Sequence, residues 1–264
     1  MLFKPISIGE RNDWQLLPLK KDIMDVNKNS YTFTFSAILV VVVAAVLAFA
    51  AESLKPLQKE NIRLEKMQNI LASVEIEATP SEAKEKFDQY IVDQKLLNSN
   101  GELIQDSELS AFDIDVVKEY KTFAEDERHY PLYVFEDGGE RKYIVPLAGK
   151  GLWGPIWGYI ALNSDMASIY GTTFDHKTET PGLGAEINQN EFQDKFVGKS
   201  IFNEQGAFVS IKVLKGGSDV SGNMHAVDGI SGGTITSKGV GEMIERTLGL
   251  YVPFFKDNNK QASL

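Results

Sequence analysis

The stretch PLYVFEDGGERKYIVPLAG, residues 131–149, holds two β-rich runs on either side of Asp137-Gly138-Gly139. Such a pair of runs around Asp-Gly or Gly-Gly is a strong signal for a β-hairpin, because glycine accepts the positive φ angles of a tight turn. Three more runs rich in β-branched and aromatic residues follow, at 156–163, 167–174 and 207–214. The sequence therefore predicts a mainly antiparallel sheet.

Helical patterns lie outside this series of strands. Apolar residues recur at helical spacing over 57–74, and TPSEAKEKF at 79–87 begins with a capping sequence. Residues 190–202 are compatible with a short helix at their start, and a last helix is predicted over about 238–250, with Pro253 as its stop. Helices segregated from an antiparallel sheet are typical of an α+β fold.

One apolar segment near the start of the chain has the length of a membrane-spanning helix. Residues 31–50, YTFTFSAILVVVVAAVLAFA, carry no charge, and about 20 such residues cross a bilayer. A cleaved signal peptide is the alternative, because Ala48-Phe49-Ala50 fits a cleavage site and lysines precede the run. Since the run exceeds the roughly 7–15 residues of a usual signal core, a retained single-pass helix at 31–51 is favoured.

Charge does not decide the orientation of this helix. Three lysine or arginine residues lie within fifteen residues of each end of the 31–50 run, so the positive-inside rule gives no answer. We expect residues 1–30 to form a tail ahead of the helix. Within the tail, residues 1–23 are expected to be a misassigned start or a disordered segment.

Composition excludes several classes of function. A net charge of −10 argues against nucleic acid as a partner, because phosphates would be repelled. The chain has no cysteine, which excludes disulfides, thiolate-held iron–sulfur clusters and Cys-type zinc sites. The three histidines, His129, His176 and His225, have no paired ligand spacing, so no metal site is expected.

Three short motifs fail on their context. Residues 149–154 match the dinucleotide fingerprint G-x-G-x-x-G, but a strand follows where the phosphates would need a helix. Residues 198–200 end like a P-loop that lacks its first glycine. Residues 229–233 fit G-x-S-x-G, but no histidine follows to complete the triad order of such hydrolases. No catalytic residue is assigned on these patterns.

The segment DGISGGTITSKG, residues 228–239, resembles the D-x-x-S/T-G-A-T sequence at which flavin transferases esterify a threonine to the phosphate of FMN. The resemblance makes Thr234 the attachment point and Asp228 a residue that the transferase recognises. Gly233 departs from the usual alanine. An ordinary glycine-rich turn, with Thr236 or Ser237 as the N-cap of a helix, is the alternative.

Three further segments resemble signatures of the FMN-binding domain family: GKGLWGPIWGY (149–159), ETPGLGAEI (179–187) and VLKGG (213–217). The family implies a set of cofactor contacts, which comprises Thr234, Asp228, Ser231, Gly232, Glu179, Thr180, Gly182, Leu183 and Lys215. Lys215 and Lys238 could add positive charge near the phosphate or the flavin, whereas Trp153 and Trp157 are expected to pack in the core.

Within this family the chain is most similar to the NqrC branch, the FMN-carrying subunits of Na⁺-translocating NADH:quinone reductases. The corresponding subunits of Rnf complexes share the signatures but are typically shorter. The resemblance implies a juxtamembrane segment at 52–130 and an FMN-binding domain at 131–255. It also implies a bacterial inner-membrane protein whose large domain lies on the periplasmic side.

The family implies an electron carrier in a redox-driven sodium pump. Covalent FMN would relay electrons from NADH towards ubiquinone between partner subunits, after maturation by a flavin transferase and with membrane lipid around the anchor. One alternative is a carrier of the Rnf type, between ferredoxin and NAD. The other is an anchored extracytoplasmic binding domain without a cofactor.

Overall fold

The structure, a computed structural model, describes residues 28–105 and 109–262. The chain divides into two compact units, Met1–Leu57 and Gln58–Leu264. The expectation for residues 1–23 lies outside the described residues and stays a prediction.

A single helix, α1, runs from Asn29 to Ala72 and passes through Pro56. The sequence patterns had indicated two helices, one at 31–51 and one after the proline. Proline removes one hydrogen bond from a helix but does not always end it, and here the helix continues on both sides. The N-terminal part of α1, with a mean hydropathy of 2.7 over its most apolar window, is long and apolar enough to cross a membrane. A signal sequence would have the same property.

Within the described residues of the second unit, seven strands and four α-helices follow α1. The strands are β1 (Ile91–Leu97), β2 (Tyr130–Asp137), β3 (Glu140–Lys150), β4 (Pro155–Leu162), β5 (Ile169–His176), β6 (Lys212–Leu214) and β7 (Ala226–Asp228). The helices are α2 (Ala83–Tyr90), α3 (Val116–Thr122), α4 (Asn190–Gln193) and α5 (Thr234–Ala262). Strands β1 to β5 form one antiparallel sheet in chain order, and β6 pairs with β7 in parallel. The predicted α+β class is confirmed.

The hairpin predicted from residues 131–149 is confirmed. Asp137 pairs with Glu140 at its tip, and the two residues between them, Gly138 and Gly139, have φ angles of 58° and 87°. The strand predicted at 207–214 is shorter than expected. The amides of Val209 and Ser210 both donate to the carbonyl of Ile201, and Ser210 has a φ of 59°, so regular pairing is interrupted before β6.

Two elements differ from the sequence prediction. Strand β1 was not predicted and lies within the stretch assigned to a juxtamembrane segment. Helix α5 begins at Thr234 and ends at Ala262, so Pro253 lies inside it and does not stop it. Tyr251 and Phe255, on either side of the proline, are 1% and 0% exposed. Their packing stabilises the helix where the proline removes a hydrogen bond.

The sheet has a hydrophobic layer on each face. On one face, α5 contributes its predicted apolar stripe of Val240, Met243, Ile244 and Leu248, all fully buried against a cluster that includes Ile156. On the other face, the last turns of α1 and helix α2 cover a separate cluster. This second cluster includes Met67, Ile70, Phe87, Tyr133 and Tyr159.

Lys66, in the part of α1 that precedes the second cluster, is largely buried. The Nζ atom of Lys66 donates to the carbonyls of Phe112 and Ile114, at 2.5 and 2.8 Å. Burial lowers the pKa of Lys66 from 10.5 to about 8, although the carboxylates of Asp115 and Asp113 oppose the shift.

Lys66→Met is therefore expected to remove a pH dependence of stability. Between about pH 8 and pH 10.5 the folded chain has released this proton whereas the unfolded chain still holds it. The free energy of unfolding of the wild type should rise with pH across this window, by about 3 kcal/mol in total. Urea unfolding of the full chain in detergent at several pH values measures the rise. The exposed Lys84→Met should keep it, and a flat difference between wild type and Lys66→Met would contradict the expectation.

Candidate functional site

The loop between β7 and α5 presents the threonine that the sequence singled out. The amide of Gly233 donates to the carbonyl of Ile230 (3.0 Å), and the amide of Ile230 donates to the hydroxyl of Ser237 (2.9 Å). The amide of Ser237 makes the first α-helical bond, to the carbonyl of Gly233 (2.8 Å). Thr234 is therefore the first residue of α5, four residues earlier than the predicted helix start, and its side chain is exposed.

This position suits a phosphate. The first amides of an α-helix have no partner within the helix and point out of its N-terminus, where the helix dipole is positive. An anion attached to the Thr234 hydroxyl would lie at that end of a helix of 29 residues. The alternative, in which Thr236 or Ser237 is the N-cap of the helix, does not agree with a helix that begins at Thr234. Both lie inside its first turn, with 1% exposure each, and their hydroxyls bond to other segments.

The buried carboxylate of Glu179, in the segment 179–187, connects this segment to the segments 149–159 and 228–239. Its Oε2 accepts a hydrogen bond from the hydroxyl of Thr236 (2.6 Å), and its Oε1 accepts one from the amide of Trp153 (2.8 Å). The residue is 5% exposed. A Cβ atom at Gly151 or Gly184 would lie 2.6 or 2.5 Å from these oxygens, so both positions need glycine. Glu179 is thus a buried connector of the loops and does not line the surface around Thr234.

The loop at 179–184 packs directly on the loop at 229–233 between β7 and α5. Gly232 has a φ of 79°, and a Cβ there would lie 2.6 Å from Cδ2 of Leu183. At Gly233, the departure from the family motif, a Cβ would come within 3.1 Å of the carbonyl oxygen of Leu183 and 3.0 Å of Cγ2 of Ile230. The backbones of the two loops therefore approach each other more closely than side chains at these positions would allow.

The segment at 213–217 lies against the same loop. The amide of Gly229 donates to the carbonyl of Leu214 (3.1 Å), and a Cβ at Gly216 would lie 2.5 Å from the amide nitrogen of Ser231. All four segments that carry the family resemblance are therefore in contact around residues 228–237. Sequence alone did not predict these contacts.

Asp228 and Lys215 have structural roles beside this loop. One carboxylate oxygen of Asp228 accepts from the amide of Ser218 (2.9 Å), and the other lies 3.7 Å from Nζ of Lys195. Lys215 is exposed, and its carbonyl accepts from the amide and hydroxyl of the same serine. Lys238 is exposed too and pairs with Glu242 at 3.3 Å.

Thr180 and Gly182 lie on the exposed part of the 179–184 loop. The carbonyl of Thr180 accepts from the amides of Leu183 and Ala185, at 3.1 Å each. Gly182 has a φ of 76°, and its amide donates to the Glu186 carboxylate (2.7 Å). These bonds fix the turn that presents Leu183.

Four apolar side chains on the joined segments are more than 40% exposed. Leu152, Trp153, Leu183 and Ile235 have exposures of 45%, 66%, 41% and 58%. We call them the apolar rim. The expectation that Trp153 packs in the core is wrong, because it lies in the turn between β3 and β4, where the amide of Gly151 bonds to the carbonyl of Gly154. Trp157 is half-buried. Exposed apolar groups close to a helix terminus fit an aromatic ring that carries a phosphate. Sequence reasoning had not singled out Leu152 and Ile235, whose signal is apolarity next to glycine-rich turns.

The histidines lie apart from one another. His129 bonds to Glu119, His176 accepts from the amide of Glu179, and His225 bonds to the carbonyl of Ser200. Within residues 28–105 and 109–262, no group of three or more histidine, aspartate or glutamate residues is placed to hold a metal ion.

Comparison with known proteins gives concordant matches. Residues 151–249 match the FMN-binding domain family. The chain is 33% identical to the NqrC subunit of the Na(+)-translocating NADH-quinone reductase of Pseudomonas aeruginosa, over 84% of this chain and 93% of that protein. It is 32% identical to the corresponding subunit of Vibrio vulnificus, over 80% and 87%.

Solved structures of the same subunit have this fold. The crystal structure of the NqrC subunit from Parabacteroides distasonis is 46% identical and superposes with a TM-score of 0.69, over 76% of this chain and 96% of that chain. The NqrC protein of Shewanella oneidensis is 25% identical and superposes with a TM-score of 0.61, over 74% and 98%.

Proposed function

We propose a function for this chain from the premise that it belongs to the NqrC family of Na(+)-translocating NADH-quinone reductase subunits. In this proposal the chain carries electrons on an FMN bound through a phosphoester to Thr234, within a membrane complex that passes electrons from NADH towards ubiquinone and moves Na⁺. The carrying observation is that all four FMN-family segments meet around an exposed threonine at the N-terminus of α5.

The residues present fit FMN. Thr234 Oγ1 would hold the phosphate, and the first amides of α5 would face its charge. Lys215 and Lys238 would add positive charge at this end of the helix, and the apolar rim would pack against the flavin ring. When bound, the flavin supplies the redox chemistry, whereas the protein supplies position and electrostatics.

A covalent link has a physical reason. A site that binds free FMN with nanomolar affinity gains about 12 kcal/mol at standard state, yet it would stand empty where free flavin is scarcer than that. An ester keeps the site filled at any flavin concentration. Its formation requires a flavin transferase that can reach the exposed Thr234.

The partners and the location belong to the same proposal. The remaining subunits of the reductase would oxidise NADH and reduce the quinone, and α1 would anchor this chain in the inner membrane with its large domain outside. Protease added to spheroplasts is then expected to digest residues beyond about 52, while the N-terminus stays protected. Protection of the large domain, or a mature chain that begins at Ala51, would contradict the orientation or the retained anchor.

Absorption of the denatured protein tests the proposed function. The full chain, co-expressed with a flavin transferase, denatured and desalted, is expected to keep one flavin per chain. Noncovalent flavin would be removed by this treatment. A colourless protein would favour the anchored domain without a cofactor.

A further inference from the structure

A groove of about 740 Å³ lies on the sheet face opposite α5. Its walls are residues 59–69 of α1 and residues 112–121 around α3, and its floor belongs to β4. The floor side chain Tyr159 is part of the cluster covered by α1, whereas its neighbours Ile156 and Ile160 face α5. The groove is thus separated by the sheet from the core beneath α5.

The interior of the groove is apolar and aromatic. Trp157 and Phe112 line it and are half-buried, and Ile62 lines it with 65% exposure. Tryptophan and other aromatic residues are enriched at the buried centres of protein interfaces, where a few residues contribute most of the binding energy.

Basic side chains surround this apolar floor. They come from α1, α3 and the segment after β5, and comprise Lys59, Arg63, Lys66, Lys121 and Lys177. Lys66 is bound to two backbone carbonyls, but the other four are exposed. The chain as a whole has a net charge of −10, so this concentration of positive charge is local.

Acidic side chains are fewer around the groove. Glu65, Asp113 and Asp115 line it, so five cationic and three anionic side chains leave a net charge of +2. The Asp115 carboxylate already accepts hydrogen bonds from the amides of Val117 and Lys118 at the start of α3. The groove therefore attracts negative charge and repels a cation such as Na⁺.

One end of the groove lies two residues along the chain from Trp153 of the apolar rim. Pro155 and Lys177 line this end, and the amide of Lys177 donates to the carbonyl of Pro155 (3.1 Å). The residues just before β4 and just after Lys177 are in contact as well, since a Cβ at Gly154 would lie 2.5 Å from Oγ1 of Thr178. Trp153 and Glu179 are the next residues in these two loops, and the amide of Trp153 donates to the Glu179 carboxylate. An occupant of the groove would therefore lie beside the apolar rim.

We propose that this groove docks an acidic segment of another subunit of the reductase, with an apolar or aromatic side chain of that segment on Trp157. The proposal rests on the proposed function, because the groove ends beside the cofactor through which the two subunits would exchange electrons. A single lipid phosphate would use one or two of the cations. Cations on three separate elements around an aromatic floor fit an extended segment with several carboxylates.

Photo-cross-linking in the assembled complex tests the docking. The full chain with Ile62→benzoylphenylalanine is co-expressed with the other reductase subunits and irradiated in membranes. We expect a cross-link to an acidic segment of another subunit, identified by mass spectrometry. The pair Lys59→Glu and Lys121→Glu should lower its yield about tenfold at low salt, because like charges then face each other. The matched pair Lys84→Glu and Lys256→Glu, exposed on α2 and α5, should leave it unchanged.

Several outcomes would overturn the docking proposal. They are cross-links only to lipid, cross-links only to a second copy of this chain, and a yield that the Lys59 and Lys121 reversals do not change. Flavin fluorescence of the same bands separates this proposal from the proposed function. Fluorescence without the cross-link contradicts the docking alone, whereas the cross-link without fluorescence contradicts the covalent flavin.

Discussion

Thr234→Val is expected to abolish covalent flavin. Valine has nearly the shape of threonine but offers no hydroxyl to form the ester, and the exposed side chain at the first position of α5 has no packing role to lose. The mass increment of FMN and the in-gel fluorescence should both disappear in chains co-expressed with the transferase. Circular dichroism and the urea midpoint should stay those of the wild type.

The neighbouring hydroxyls provide the controls. Ser231 is exposed on the same loop, so Ser231→Ala should keep the full label and shows whether position selects Thr234. Thr236 has 1% exposure and donates to Glu179, which makes it inaccessible to an enzyme. Asp228→Ala should lower the label without removing the acceptor. Peptide mapping that finds FMN on Ser231 or Thr236 would refute the assignment.

Thr236→Val is expected to destabilise the chain by about 3 kcal/mol. The change keeps the shape of the side chain but removes the donor to Oε2 of Glu179, a carboxylate that is 5% exposed. When a buried charged group loses a hydrogen-bond partner, most of the free-energy penalty of its desolvation is no longer offset, and the folded state is destabilised. Urea unfolding of the full chain in detergent measures the loss. Chains that still fold should carry FMN, because the acceptor is intact.

Thr236→Ser separates the hydroxyl from the packing. Serine keeps the donor and loses one methyl group, so the expected cost is about 1 kcal/mol. Combining Thr236→Val with Glu179→Gln should cost less than the sum of the two single changes, since the two side chains are in contact. A Thr236→Val chain as stable as the wild type would show that the bond between Thr236 and Glu179 contributes nothing.

Local signals predicted much of the fold. The hairpin at 131–149 was predictable because glycines and alternating apolar residues act within a few residues of one another. The buried stripe of α5 followed from helical spacing. Strand β1 was missed because IVDQKLL has a polar centre, and its place in the sheet depends on pairing with β2 and on the burial of its apolar ends, both of which involve distant residues. The continuation of α5 through Pro253 depends on core packing, which a local rule does not include.

The candidate site was predictable only in pieces. Family resemblance pointed to the four segments, but their junction depends on contacts between distant residues. Thr236 and Glu179 are 57 positions apart in the chain. Local patterns therefore leave Thr236 open as a helix cap and give no sign that it donates to the carboxylate of Glu179. Trp153 was assigned to the core by its apolarity, whereas the turn geometry directs it outwards.

The exposed position of Thr234 at the start of α5 has a consequence for how far a flavin attached there could move. With FMN on Thr234, only the phosphate end of the cofactor would be covalently attached to the protein. A chain of single bonds would join the phosphate to the flavin ring. The ester alone would leave the ring a wide arc of positions. Its resting place would then be set by the weak apolar contacts of Leu152, Trp153, Leu183 and Ile235. A ring attached in this way could approach one redox partner and then another while Thr234 stays in place.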